Sequence, residues 1–174
     1  MPLFSKIDDI QGYPSMIQKF ERFNSFLNKI SSRFCVLLLG FMTVLAVFQV
    51  VMRYIFRSPF TWSDELLCHQ LVWLAIIGSS VVLKRQEHLK LTVLRDALPG
   101  KLKWVLLALF QMLTLIFLTI VFFYGILMAG DGLNQNAPSL GVSMFIPYSS
   151  VPVGAFIMLL YSIEHTINHF RKNK

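Results

Sequence analysis

Residues 60–83 read FTWSDELLCHQLVWLAIIGSSVVL: a tryptophan, two acids and a histidine open an apolar run that does not end until Leu83. The apolar part alone, from Leu66 to Leu83, approaches the roughly 20 residues that a helix rising about 1.5 Å per residue needs to cross about 30 Å of hydrocarbon. Three further runs have that character: 34–52, 104–129 and 145–161. The fourth is short and carries Pro147 and Pro152. It is expected as a kinked or late-starting helix, since membrane helices tolerate proline when neighbours satisfy the freed carbonyl.

Composition agrees with four spans. Of 174 residues, 55% are hydrophobic and only 14% charged, too few charges to cover a soluble globule of this size. The expected fold is an all-α membrane protein forming one membrane domain over residues 1–174. The net charge of +7 does not point to nucleic acid, because the basic residues are sorted by connection rather than clustered. Lys6, Lys19, Arg22, Lys29 and Arg33 precede the first span. Lys84, Arg85, Lys90, Arg95, Lys101 and Lys103 separate the second from the third, and Arg171, Lys172 and Lys174 follow the fourth. Only Arg53 and Arg57 lie on the other side. The positive-inside rule therefore puts both termini and the 84–103 connection in the cytoplasm.

The first apolar run lacks a small-residue cleavage site and is expected to stay in the mature chain. Cys35 and Cys68 fall near opposite faces of the membrane, too far apart for a disulfide, and are expected as free thiols.

Ahead of the first span, Met16, Phe20, Phe23, Leu27, Ile30 and Phe34 recur at spacings of three and four, with Lys19, Arg22, Lys29 and Arg33 largely elsewhere on the wheel. Residues 15–33 are thus expected as a basic amphipathic helix in the headgroup region, after which the chain turns down into the bilayer. The 84–103 connection is expected to hold a short amphipathic segment stopped by Pro99-Gly100, and residues 130–144, rich in Gly, Asn and Ser, an irregular loop.

The opening cluster has an ordinary explanation. Thr61 and Asp64 have the spacing of a capping box, Asp64 and Glu65 suit the positive end of a helix dipole, and Trp62 suits the membrane interface. Arg53 and Arg57 are close enough in sequence to pair with the two acids. One feature is left over: Trp62, Glu65, His69 and Trp73 stack on a single stripe at intervals of three, four and four. Lipid solvates Glu and His poorly, so protein must cover the stripe, either this chain's own or a second subunit's. Haem ligation by His69 is disfavoured, because His88, His165 and His169 lie at a different depth. There is no metal-ligand spacing, nucleophile motif or phosphate loop, and the spans contain only neutral polar residues at their centres. No catalytic, cofactor or metal site is expected, and an enzyme is disfavoured.

Several stretches together resemble one family. VVMRYIFRSPFTWSDELL, LVWLAIIGSSVVLKRQEHLKL and SLGVSMFIPYSSVPVGAFIML are similar, in order and spacing, to segments of the small membrane subunit of tripartite ATP-independent periplasmic (TRAP) transporters. Arg53, Tyr54, Trp62, Asp64, Glu65 and His88 match the family pattern, whereas Thr92 stands where it usually has an Asp. The resemblance implies a four-span subunit in a bacterial inner membrane, bound to a large multi-span permease that a periplasmic substrate-binding protein supplies with an organic acid. It implies a sodium-driven elevator motion in the large subunit, with the small one widening the stationary scaffold. In that setting Arg53, Tyr54, Trp62, Asp64, Glu65, His69, Trp73 and His88 are expected to support folding and subunit contact. A membrane anchor for a redox complex is the rival reading.

Overall fold

The computed structural model describes residues 15–57, 60–97 and 100–171, with side chains described at 19–57, 60–84 and 108–167. It is helical throughout its long elements: α1 (Ser15–Tyr54), α2 (Thr61–Ala97), α3 (Gly100–Asp131), the four-residue α4 (Phe145–Tyr148) and α5 (Ser150–Arg171). Four stretches are long and apolar enough to cross a membrane: Lys19–Tyr54, Thr61–Lys84, Ala108–Asn134 and Phe145–Ile167. The chain is an integral membrane protein by that criterion.

α1 carries residues 15–33, expected as a separate interfacial helix, and the first span as one unbroken helix, with no turn at residues 33–34. No proline or glycine lies between Ser15 and Leu39 to interrupt the ladder, so propagation costs nothing there. Forty residues make about 60 Å of helix, about twice the hydrocarbon thickness, so α1 must tilt or run well past the bilayer. Its packed side carries Asn24, Leu27, Ser31 and Cys35, while Phe23, Phe26, Ile30 and Phe34 face outward.

α2 likewise continues beyond its apolar part through the expected connection to Ala97. The residues after Leu83 are mostly good helix formers, and Pro99 is the first breaker. α3 starts directly after it, at Gly100. His88 sits on this extension, its side chain outside the described set.

The fourth span starts at Phe145 and is broken near its start, the kinked form of the two expected. Pro152 has no N–H to give the Tyr148 carbonyl, and the chain breaks between α4 and α5 at Ser149. The hydroxyls of Ser149 and Ser150 donate to the carbonyls of Ile146 (2.8 Å) and Pro147 (2.7 Å). Residues 132–144, expected as irregular, are ordered instead. After a 3-10 turn (Gly132–Asn134), an antiparallel bridge pairs Asn136 with Ser143. The N–H of Ala137 donates to Val142 (2.8 Å) and that of Met144 to Gln135 (2.8 Å). Gly141, at φ +64°, supplies the left-handed residue that reverses the chain.

The spans pack in a row, α1 beside α2, α2 beside α5 and α5 beside α3, with a smaller contact from α1 to α5. A row has two broad sides, and both are lined with exposed Leu, Ile, Val and Phe, as lipid-facing helices are. The small core lies where three helices meet: Ile77, Ile157 and Tyr161, flanked by Leu27, Cys35 and Trp73. Gly154 lets α5 approach α2 at Ile76, and Gly125 lets α3 approach Val151 and Pro152 of α5, where an added Cβ would sit 3.1 Å from both. Cys35 and Cys68 are free thiols.

Candidate functional site

Polar side chains gather at the two ends of the row. At the Thr61 end, Asp64 occupies the first turn of α2, and its carboxylate accepts from Gln49 Nε2 of α1. Ser63 is buried and returns its hydroxyl to the Phe60 carbonyl (2.7 Å). Glu65 reaches across to the 132–144 hairpin, where one oxygen, Oε2, accepts the backbone N–H groups of Ser139 (2.8 Å) and Leu140 (2.9 Å).

The expected pairing of Arg53 and Arg57 with these acids is absent among the described residues. Both acids already have donors, and the arginines remain exposed, Arg53 in the last turn of α1 and Arg57 in a left-handed conformation at φ 51°. Tyr54 is exposed as well. Trp62 is 37% exposed and packs on Phe60 (ring centroids 5.9 Å apart), which stacks in turn on Phe48 (6.3 Å).

Half of the stripe is covered by this chain itself. Glu65 is held by the hairpin, and Trp73 donates its indole N–H to the Ile146 carbonyl (3.1 Å) while meeting Phe34 edge-on (6.2 Å). His69 lies half-buried between them, with no hydrogen bond among the described residues.

The Lys84 end holds a cluster that the sequence reading passed over. Glu164, 9% exposed, accepts from both Lys84 Nζ and Asn24 Nδ2 (2.6 Å), so one carboxylate joins α1, α2 and α5. Asn24 is fully buried and donates also to the Leu160 carbonyl (3.3 Å). The Lys84 ammonium stands 5.2 Å from the centre of the Tyr161 ring, within cation–π range. Lys84 had been counted only as a topological charge, and the fourth span had been ended at Tyr161, short of Glu164. The signal was present as a small polar stripe, Asn24, Asn28, Ser31 and Cys35, opposite the phenylalanines of α1. On the far side of α5, Gln111 of α3 donates to Ser162 O (2.9 Å), Ser162 Oγ (2.7 Å) and Thr166 Oγ1 (3.0 Å).

Among the described residues no three His, Cys, Asp or Glu side chains come together as a metal site would require. Asp64, Glu65, Lys84 and Glu164 are each engaged by another helix or by the hairpin of the same chain.

The architecture thus defines a small polytopic membrane protein built for packing. A family model, tripartite ATP-independent periplasmic transporters, DctQ component, matches residues 21–172, and the chain belongs to that family, a family of transporter subunits rather than enzymes. It is 24% identical over 142 residues to the sialic acid TRAP transporter small permease protein SiaQ of Vibrio cholerae, covering 82% of each chain. It is 26% identical over 163 residues to the C4-dicarboxylate TRAP transporter small permease protein DctQ of the same organism, covering 80% of this chain and 70% of that one. A third match, 26% identical over 126 residues, is to the sialic acid TRAP transporter permease protein SiaT of Haemophilus influenzae; it covers 72% of this chain and only 20% of that much longer protein.

Proposed function

We propose that this small permease subunit acts as the stationary membrane scaffold for a large permease subunit in sodium-coupled uptake of an organic acid of the sialic acid or C4-dicarboxylate class. A periplasmic binding protein would deliver the substrate. The observation that carries the reading is the placement of charge: between Glu65 and Lys84, between Lys103 and Asp131, and between Asp131 and Glu164 there is no Asp, Glu, Lys or Arg. A chain that moved a proton or an ion by itself through a charged relay would need such a group near the midplane. The relatives named as small permease proteins for sialic acid and C4-dicarboxylates support the substrate class. The match to part of SiaT supports partnership with a larger permease.

In this reading the protein lies in a bacterial inner membrane with both termini and the Lys84 end of α2 in the cytoplasm, the Thr61 end in the periplasm, and the basic part of α1 in the inner headgroup zone. Arg53, Tyr54, Trp62, Asp64, Glu65, His69, Trp73 and His88 serve folding or subunit contact. His69, half-buried and with no hydrogen bond among the described residues, is the stripe position best suited to a group from another subunit. Membership of a transporter family speaks against the redox-anchor reading.

The test is co-expression with a candidate large permease, then purification and reconstitution. The two should purify together, and only the complex with its binding protein should take up substrate. Uptake by this chain alone would refute the scaffold role. Orientation is checked on a Cys35→Ser, Cys68→Ser background: an impermeant thiol reagent applied outside spheroplasts should label Asn134→Cys and not Lys90→Cys.

A further inference from the structure

α1 carries two opposed stripes in its first half. Asn24, Asn28, Ser31 and Cys35, at intervals of four, three and four, lie on the packed side. About 200° round the helix, Arg22, Phe26, Lys29 and Arg33 repeat those intervals, with Lys19 one turn before them, and all five are exposed. The only acid in α1, Glu21, is half-buried on the flank of the packed side. Neither Lys29 nor Arg33 has an ion pair or a hydrogen bond among the described residues.

Two contacts fix how deep the basic stripe lies. Asn24 meets Lys84 through Glu164, and Phe34 meets the Trp73 ring. From Asn24 to Phe34 is about 15 Å of helix and from Trp73 to Lys84 about 16 Å, so the two helices run side by side there. Lys29 and Arg33 therefore lie between the levels of Lys84 and Trp73, beside the apolar WLAIIGSSVVL of α2. α3 is apolar there as well: Gln111, bonded to Ser162 close to Glu164, already lies within a run that begins at Trp104. Lipid at that depth solvates a cation poorly, and an arginine in a protein does not give up its charge. Headgroups can meet Lys19 and Arg22. Their zone is only about 5–8 Å thick on each side of the bilayer, however, whereas Lys19 to Arg33 is about 21 Å of helix. We propose that an acid-bearing transmembrane helix of the large permease docks along this stripe, its carboxylates meeting Lys29 and Arg33 and its apolar side chains packing on Phe26, Ile30 and Leu37, all exposed here. The inference rests on the scaffold reading and adds to it the face and the chemistry of the contact. Charge pairs out of reach of water also set the register of the two subunits, because a slipped pairing leaves a cation buried and unmet.

The test is photocrosslinking in native membranes of cells that express both subunits. A photoreactive phenylalanine analogue replaces Phe26, and in a second variant the exposed Phe123 of α3. The analogue at position 26 should give a product with the large permease. A product with lipid alone, or with a second copy of this chain, overturns the proposal. Capture of the permease from position 123 and not from 26 removes this face while leaving the scaffold reading intact, whereas a permease that neither crosslinks nor purifies with the subunit refutes the scaffold reading itself. Charge reversal gives an independent measure. Lys29→Glu combined with Arg33→Glu should cut the permease recovered with the subunit by about tenfold or more, as loss of a desolvated charge pair does. Reversing an acid in the crosslinked permease segment to lysine should restore it. Unchanged recovery after reversal, or no rescuing acid in that segment, overturns the proposal. The parent complex should survive equally in nanodiscs of phosphatidylcholine and in those containing phosphatidylglycerol; survival only with phosphatidylglycerol would assign the stripe to headgroups instead.

Discussion

Glu65 and Glu164 are both carboxylates drawn away from lipid at an end of the helix row, yet they are held by different means. Glu65 accepts two backbone N–H groups from residues 139 and 140, so residues other than proline at those positions would still supply its donors. Glu164 is held by the side chains of Lys84 and Asn24, from two different helices. The first arrangement fixes the path of a hairpin and tolerates sequence change in it. The second fixes how three helices sit together and depends on the identity of each partner. Clamps of the Glu65 kind leave a surface free to vary, whereas those of the Glu164 kind define the scaffold.

The largest expected effect tests that contrast at Glu164. Replacing it with leucine strands the Lys84 ammonium in a mostly buried place, and breaking a buried pair in this way costs about 3–5 kcal/mol, with residual water contact holding it to the lower part of that range. Adding Lys84→Met should recover a large part of the loss, because the stranded charge is then gone. The check is a double-mutant cycle on thermal unfolding of the purified subunit complex. Simple additivity would show that the pair is incidental.

Gly154→Val should come next. The new side chain would collide with Ile76 of α2, and overpacking of this kind typically costs about 1–3 kcal/mol. The displacement is between α2 and α5, so a cysteine crosslink engineered across those helices should form less efficiently in the variant, while one engineered between α3 and α5 should be unaffected. Equal loss at both would mean general unfolding rather than local separation.

At the hairpin, Glu65→Leu removes the acceptor of two amides at once, and each unmet donor costs about 1–3 kcal/mol unless water reaches it. Because Ser139 is exposed and Leu140 partly so, water will meet much of that need. The loss should appear locally, as hydrogen exchange at Ser139 and Leu140 accelerated by about tenfold or more, with little change in the global midpoint. Glu65→Gln, which retains a carbonyl acceptor, should exchange at an intermediate rate. Unchanged exchange in Glu65→Leu would show that the backbone bonds within the hairpin suffice.

How much of this could be read from the sequence depended on the range of the interaction. The four spans follow from apolar runs, and the break in the fourth follows from Pro152, both local properties. The uninterrupted α1 and the long α2 were also local, but the charged residues in them were read for which side of the membrane they prefer, and charge sorting says nothing about whether a helix ends. The 132–144 hairpin was hidden because it is closed by backbone bonds that a run rich in Gly, Asn and Ser does not announce, and because the Glu65 carboxylate it meets lies 74 residues from Ser139. The stripe on α2 follows from spacing within one helix, while what meets Glu65 and Trp73, the hairpin and Ile146, lies on a segment whose path only the fold reveals. The cluster at Glu164 required three helices to be brought together: the polar stripe Asn24, Asn28, Ser31 and Cys35 marks a packed face on α1, but nothing in it names Lys84 or Glu164 as the partners.

The smallest effect concerns the two arginines that the acids do not use. Arg53→Ala removes an exposed side chain with no partner among the described residues and should change stability by less than about 0.5 kcal/mol. Arg57 differs, because it occupies a left-handed conformation at φ 51° that glycine adopts without steric penalty. Arg57→Gly removes that native strain but gives the unfolded chain more freedom, and the two contributions, each on the order of 1 kcal/mol, oppose one another. A slight gain or no change is therefore expected on thermal unfolding, in contrast to Arg57→Val, whose branched side chain tolerates positive φ poorly and should lower the midpoint. If Arg53→Ala or Arg57→Gly proved as damaging as Glu164→Leu, the acids at the Thr61 end would depend on arginine after all, and the division between a backbone-held end and a side-chain-held end would fail.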